Sequence, residues 1–356
     1  MIKSIEEADI IEGTIVLVRT DWNVPVKDGV VLDASRIEAT LPTINFALSK
    51  GAKVIIISHL GDGADSLEIV TKEAEKFFPN NKVVFVRDPW NASSPDGKTA
   101  LENLKSGEIA VFENLRFWME KENDECFAKQ LAGFADIYVN EAFPCSHRKH
   151  TSIVQVPKFL PHFAGFRFLE EYKKLSEVFN PEHPFLFILG GAKFETKLPL
   201  VEKFLKIADD IFIGGANALP ASGKFVDDNS PTSHLASLEL RGTSKIIFPV
   251  GDIMALDANT ETLEMLNEKI KEAKFILWNG PLGNYEKGFV AGTVALARML
   301  SESNAKVIMG GGDTLVLIKP EIKNQISAHG FISTAGGAML DFLANGTLPG
   351  IEALQN

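Results

Sequence analysis

Cysteine is nearly absent from this chain, with only Cys126 and Cys145 in 356 residues. Two thiols cannot form a disulfide framework, which points to a reducing compartment. The opening residues, MIKSIEEADI, hold no apolar signal core, and apolar runs such as Val54 to Ile57 are far too short to cross a bilayer. Those absences predict a cytoplasmic protein with no membrane partner. Low-complexity segments and repeats at solenoid spacing are missing as well. Positive charge is in deficit, with 36 Lys and Arg against 47 Asp and Glu and a net charge of −11. A nucleic-acid binder would show the opposite balance and a basic stripe, so no such partner is expected. A small anionic substrate stays admissible, provided its cations are gathered locally against the overall field. The common nucleotide fingerprints are also lacking: there is no GxxxxGK[ST] and no GxGxxG after a strand.

What is present is an ordinary globular composition, 45% hydrophobic and 23% charged. The length suits two domains better than one, since single cores stop growing near ~250–300 residues. Short apolar runs alternate with amphipathic stretches. The runs are 14–18, 53–58, 82–86, 109–112 and 137–140, then 185–189, 210–214, 245–250, 275–278, 306–309 and 331–334. Helical patterns between them include 36–50 and 197–210. Strands that are apolar throughout and alternate with helices predict an α/β architecture, doubly wound, with parallel sheets covered on both faces. The stretch 165–179 has helical spacing and reads as an interdomain helix, with its exit at Asn180 and the PEHP that follows.

In open α/β sheets ligands bind beyond the carboxyl ends of the strands. In the first half the residues there are polar or cationic: Asp21, Asn23, His59, Arg116, His147 and Arg148, with Arg36 opening the first long helix. In the second half they are mostly glycine: 190–191, 214–215, 280, 283, 310–312 and 336–337. Glycines let the backbone approach a ligand and present N–H groups to phosphates. One half therefore reads as built for a small anion and the other for a nucleotide. GGGDT (310–314) suits a phosphate cradle, with Asp313 free to hold magnesium. Taken alone, such a turn is structural about as often as functional.

The motifs VRTDWNVP (18–25), SHLG (58–61), ENLRF (113–117), NEAFPCSHRKH (140–150), GGAKFETK (190–197), WNGPLGNYE (278–286), GGGDT (310–314) and STAGGA (333–338) together resemble the phosphoglycerate kinase family. They come in that family's order and cover nearly the whole chain. The resemblance implies two Rossmann-like domains joined by a helix and hinge. Residues 1–164 would bind phosphoglycerate, 165–180 would form the interdomain helix, 181–344 would bind nucleotide, and 345–356 would return to the first domain. The implied reaction is reversible transfer between 1,3-bisphosphoglycerate with MgADP and 3-phosphoglycerate with MgATP, in a monomer whose domains close to join the half-sites.

The resemblance also implies roles. Asp21, Asn23, Arg36, His59, Arg116 and Arg148 would hold the phosphoglycerate, with Arg36 nearest the moving phosphoryl group. Lys193 and Lys197 would meet the nucleotide phosphates, and Lys197 would follow the group in flight. Asn279 would lie near the phosphates, Glu286 would bond the ribose, and Asp313 would bind Mg2+. Gly311, Gly312 and Thr314 would cradle phosphates alongside Gly191, and Gly214, Gly215 and Leu256 would border the base. The chemistry suits these types. A carboxylate acceptor is already ionised and needs no general base, so the demand is for cations, metal and backbone N–H groups.

Several residues read differently in isolation. Arg36 alone would more often be a surface residue, and Asp21 a turn former. His147 and His150 near Cys145 could suggest a metal site, but the interleaved Arg148 and Lys149 oppose it. His162, His183, His234 and His329 read as ordinary, Trp22 as packing, and the acidic run 120–124 as a solvated face. The chain also departs from the family. Asp62 stands where the family has an arginine, in a short loop, and is expected to face the substrate pocket. Pro144 replaces a glycine. The segment 214–224 is compacted and carries Pro220, and the whole chain is short. These departures keep two alternatives open: a kinase of this fold acting on another carboxylate, or a nucleotide-binding regulatory protein that has lost transfer.

Overall fold

The structure, a computed structural model, describes residues 1–91, 97–192, 194–218, 244–252 and 255–355. Its strands are β1 (Ile15–Arg19), β2 (Val26–Lys27), β3 (Val30–Val31), β4 (Lys53–Ile57), β5 (Val83–Val86), β6 (Ile109–Phe112), β7 (Ile137–Asn140), β8 (His162–Ala164), β9 (Phe185–Leu189), β10 (Asp210–Ile213), β11 (Lys245–Ile247), β12 (Phe275–Asn279), β13 (Lys306–Gly310) and β14 (Phe331–Ser333). Each apolar run named above overlaps one of them. The chain separates into two compact units, Met1–Tyr172 with Thr347–Asn356, and Lys173–Gly346. The division falls inside the helix Phe166–Ser176.

The first unit holds a six-stranded sheet in the order β5-β6-β4-β1-β7-β8, parallel throughout. Every residue of β6 and β7 is buried, so both faces of the sheet are covered, as the unbroken apolar runs require. Trp22, fully buried, packs in this core and donates from Nε1 to Thr40 Oγ1 at 3.1 Å. The second unit has the order β11-β10-β9-β12-β13-β14, also parallel. Numbered within the unit this is 3-2-1-4-5-6, the Rossmann order, with its reversal between β9 and β12. In the first unit the order reverses between β1 and β7. The loops that leave these four strands are the places where a ligand can reach between diverging connections.

Two polar devices stabilise the first unit. Arg19, the last residue of β1, has no exposed surface. It donates to Ser152 Oγ at 2.7 Å, to Glu120 Oε1 at 3.4 Å and to the Thr20 carbonyl. Glu120 is equally buried and also accepts from Ser152 N and Oγ at 2.9 and 2.6 Å. The expectation that the acidic run 120–124 is a solvated face therefore fails at Glu120, because a buried guanidinium needs a counter-charge. The second device opens the helix Phe166–Ser176. Glu141 Oε1 accepts from Arg167 N at 3.1 Å and Oε2 from Phe168 N at 3.3 Å, while Thr43 Oγ1 donates to Oε1 at 2.7 Å and accepts from Phe166 N at 2.8 Å. Burial outweighs these donors and pushes the Glu141 carboxyl up to about 8.

Removing Glu120 would leave Arg19 charged and dry. Glu120→Ala should lower the unfolding free energy by ~3–5 kcal/mol, measured by urea denaturation. A loss under about 1 kcal/mol, the worth of an exposed pair, would show that the pair does not hold this part of the fold.

Candidate active site

At the reversal of the first sheet, the loop after β1 carries Asp21 and Asn23, the loop after β4 carries His59, and the segment after β6 carries Arg116. Asp21 is buried and its Oδ2 accepts from Arg36 Nη1 at 2.6 Å. Its Oδ1 lies 4.0 Å from His59 Nδ1 and 3.6 Å from Cys145 Sγ, which donates to it. Asn23 Oδ1 accepts from Gly61 N at 2.9 Å and holds the turn after His59. Arg116 donates to the Gly61 carbonyl, and its side chain is only 5% exposed. Arg148 is exposed and donates from Nε to His147 Nε2 at 3.2 Å. The structure thus forms two hydrogen-bonded groups, Asp21 with Arg36 and Asn23 with Arg116 on Gly61, with His59 4.0 Å from Asp21 and Arg148 close enough to act on its charge.

Those charges are mutually unfavourable. Burial pushes His59 far below the usual histidine range, and Arg19, Arg116, His150 and Arg148 push the same way. His150 falls to about 4 through burial and then Arg19, Arg148 and Arg116. Arg116 is itself lowered, by burial and then by Arg148. His59 is therefore neutral. Arg19 Nη2 lies 3.3 Å from its Nδ1, and a guanidinium can only donate, so the ring proton is on Nε2. Clustered cations beside neutral imidazoles form a receptor for an anion, inside a chain whose net charge is negative.

Sequence reasoning missed Arg19, which sits in an apolar strand, and Cys145, whose thiol burial pushes up to about 12. Asp21, His59 and Cys145 bring ligand atoms within 4.8 Å of one another, but Arg36 and Arg19 already occupy the first two. Asp62 corrects an expectation. Its side chain is fully exposed rather than directed into a pocket, because the loop turns through left-handed Gly61 and Gly63. From there its Oδ1 still reaches Arg116 Nη1 at 3.3 Å.

At the reversal of the second sheet lies a cavity of about 760 Å³. Gly191, Lys197, Gly215, Leu256, Asn279, Glu286, Gly311, Gly312, Asp313 and Thr314 all line it. Gly214 borders a small adjoining recess with Gly215, and Lys193 lies outside the described residues. Backbone runs against backbone here. A Cβ on Gly190 would strike the Pro281 and Gly280 carbonyls, and one on Gly280 would strike Gly190. Only glycine permits that approach. Lys197, 9% exposed, donates from Nζ to the Gly190 carbonyl at 2.7 Å. Burial lowers its ammonium to about 8, against the opposing pull of Asp313. Thr314 Oγ1 is buried with no hydrogen-bond partner among the described residues, an acceptor and donor held ready at the wall. Tyr285, also in the lining, hydrogen-bonds Asp313 and carries no signal in the sequence.

The phosphoglycerate kinase family model matches residues 5–223 and 226–346. Phosphoglycerate kinase of Clostridioides difficile (strain 630) is 36% identical, covering 99% of this chain and 98% of that one, and the enzyme of a Wolbachia of Drosophila simulans gives the same figures. Those two alignments run over 398 and 406 residues, so the relatives carry segments this chain lacks. Among solved structures, phosphoglycerate kinase from Coxiella burnetii superposes with a TM-score of 0.84 at 29% identity, covering 100% of this chain and 99% of that one. The Pyrococcus horikoshii enzyme gives 0.80 at 28%, covering 99% and 98%.

The buried histidines set an acid limit to stability. Unfolded histidine takes a proton near pH ~6.5, whereas native His59 does not, and native His150 does so only near 4. The native state thus binds fewer protons in this window, and stability falls as pH drops below ~6.5. Glu141 acts oppositely between ~4.5 and 8, since it stays protonated only when folded, but one carboxyl does not cancel two imidazoles. Urea midpoints should decline from pH ~6.5 to ~5, and His59→Gln should remove up to about 1.4 kcal/mol per pH unit from the acid slope. An unaltered slope in that variant would show His59 charging freely in the native state.

Proposed function

The chain belongs to the phosphoglycerate kinase family, and on that premise we propose that it moves a phosphoryl group reversibly between 1,3-bisphosphoglycerate with MgADP and 3-phosphoglycerate with MgATP. The observation that carries the reading is the pairing of two unlike sites at equivalent places in two sheets. One is a cluster of cations and neutral imidazoles, and the other a glycine-walled cavity with a nearly dry ammonium and the carboxylates of Asp313 and Glu286. In the direction of ATP use, a carboxylate oxygen of 3-phosphoglycerate bonds to the γ-phosphorus as its bond to the bridging oxygen of ADP breaks. No proton moves, so no general base is required, and none is demanded of Asp21, which is engaged by Arg36.

In this reading Asp21, Asn23, Arg36, His59, Arg116 and Arg148 hold the phosphoglycerate, with the cations and His59 meeting its anionic groups. His59 offers its Nε2 proton, and Arg36 turns toward the transferring group. Lys197 stabilises charge on the phosphoryl oxygens, with Lys193 beside it. Gly191, Gly311, Gly312, Thr314 and Asn279 meet the phosphates, Glu286 the ribose, and Gly214, Gly215 and Leu256 the base. An exposed carboxylate among phosphate-facing N–H groups fits magnesium, which prefers hard oxygen donors, and Asp313 would hold it. Bound there with the nucleotide, the ion would neutralise charge on the phosphates. No helix among the described residues is long and apolar enough to cross a membrane, and a cytoplasmic monomer acting on small molecules completes the reading.

A coupled assay with 3-phosphoglycerate and MgATP tests the proposal. Lys197→Ala and Arg36→Ala should each lower kcat by roughly 10²–10³, with much smaller changes in nucleotide affinity measured by calorimetry. Near-wild-type turnover in either variant would remove its assigned role.

Asp62 separates this substrate from another carboxylate. Its exposed pairing with Arg116 is worth at most ~1 kcal/mol, or a factor of about five. Asp62→Ala should therefore lower the KM for 3-phosphoglycerate up to about five-fold and leave that for MgATP unchanged. A raised KM for 3-phosphoglycerate would mean that Asp62 orients Arg116 usefully for this substrate and that its charge does not weaken binding.

A further inference from the structure

We propose that Asn217 is a positioning residue that sets Lys197 for phosphoryl transfer through the Gly190 carbonyl they share. The inference rests on the role given to Lys197 above and extends the site to a residue that does not line its cavity.

Asn217 closes the single turn Gly215–Asn217 that follows β10 and has no exposed surface. Its Nδ2 donates to Gly190 O at 2.8 Å, the same oxygen that takes Lys197 Nζ at 2.7 Å. A carbonyl oxygen has two lone pairs, and both are now used. The N–H of the same peptide, on Gly191, is held by Pro281 O at 2.6 Å. The peptide is thus gripped at both ends, which matters because neither glycine restrains it by a side chain and Gly191 has φ +81°. With the carbonyl fixed, the remaining protons of the ammonium have a defined direction. An acceptor shared with a second donor also binds the ammonium less tightly than one wholly free, so Lys197 can follow a moving phosphoryl oxygen.

The other end of the amide argues against simple packing. Among the described residues Asn217 Oδ1 is buried with no hydrogen-bond partner, a desolvation cost that an apolar side chain of similar size would avoid. The contact made by Nδ2 is what the residue contributes.

The test is steady-state kinetics with 3-phosphoglycerate and MgATP for the wild type, Asn217→Ala, Lys197→Ala and the double variant. Asn217→Ala should lower kcat ~10-fold with both KM values within about two-fold. In the Lys197→Ala background it should change kcat less than about two-fold, since its effect passes through the missing ammonium. Equal fold losses in the two backgrounds, or an unchanged kcat, would overturn the proposal. The wild-type rate in the same assay tests the functional reading separately.

A second measurement does not depend on turnover. Competitive acetylation of Lys197 between pH 6.5 and 10, read by mass spectrometry, should give a higher titration midpoint in Asn217→Ala, where the carbonyl serves the ammonium alone. It should rise further in Asn217→Asp, which keeps the shape and loses the donor. Midpoints equal to the wild type in both variants would overturn the proposal whatever the kinetics.

Discussion

Everything functional in this molecule depends on strand order reversing within a parallel sheet. A parallel sheet cannot be joined by tight turns, so each strand needs a crossover, and crossovers of one hand placed on both sides of a starting strand must diverge. The gap between them opens at the carboxyl ends, between β1 and β7 in one unit and β9 and β12 in the other. Asp21 and His59 lie at the first gap, and Gly190, Asn279 and Gly280 at the second. The two sites are alike in position and unlike in chemistry because the loops, not the sheets, determine what the gap meets.

The second constraint is electrostatic. A net charge of −11 opposes an anionic substrate, so the binding charge must be concentrated and shielded from the rest. Arg19 shows how that is done without loss of the fold. Its guanidinium is neutralised by Glu120 on one side and touches His59 on the other, which adds to burial in keeping the imidazole uncharged and defines its tautomer. The histidine then supplies a proton donor without a further positive charge in a place already crowded with arginines. In the nucleotide cavity the scarcity is reversed. One ammonium, partly stripped of water, answers to one carboxylate, and much of the remaining wall is glycine backbone, which carries no net charge to balance.

Much of the architecture was legible in the sequence because a strand covered on both faces has to be apolar at every position. β1, β4, β9, β12 and β13 could hardly be read otherwise. The hairpin β2–β3 and the edge strand β8 escaped because two or three residues beside Pro25 or Pro161 give no periodicity to read. The pattern at 36–50 reads as one helix but forms two, Ser35–Glu38 and Leu41–Ser49, since Pro42 lacks the N–H that a continuous helix would use and favours a fresh start. Ten of the twelve nucleotide-site residues chosen from motifs meet in one cavity. Arg19 and Asn217 were not legible. Each acts by touching a residue distant in sequence, His59 in one case and Gly190 in the other, and no local pattern encodes such a pairing.

What the sites share beyond geometry is a cost to stability. Among the described residues Thr314 Oγ1 and Asn217 Oδ1 are buried without partners, Lys197 is held in conditions that favour losing its proton, and His59 is packed among cations. Each would be improved, for folding alone, by an apolar residue. The first unit offsets such losses with an apolar core around Val18, Ile56 and Val139 and the second with one around Trp278, Ile276 and Met309. Polar atoms left unsatisfied in a native protein concentrate where a ligand will satisfy them. On that ground Thr314 Oγ1 points to a ligand oxygen in the cavity, whereas Asn217 Oδ1, behind the wall, has no such prospect. Its burial is explained by the other end of the amide, and the active site therefore extends one residue deeper than its surface.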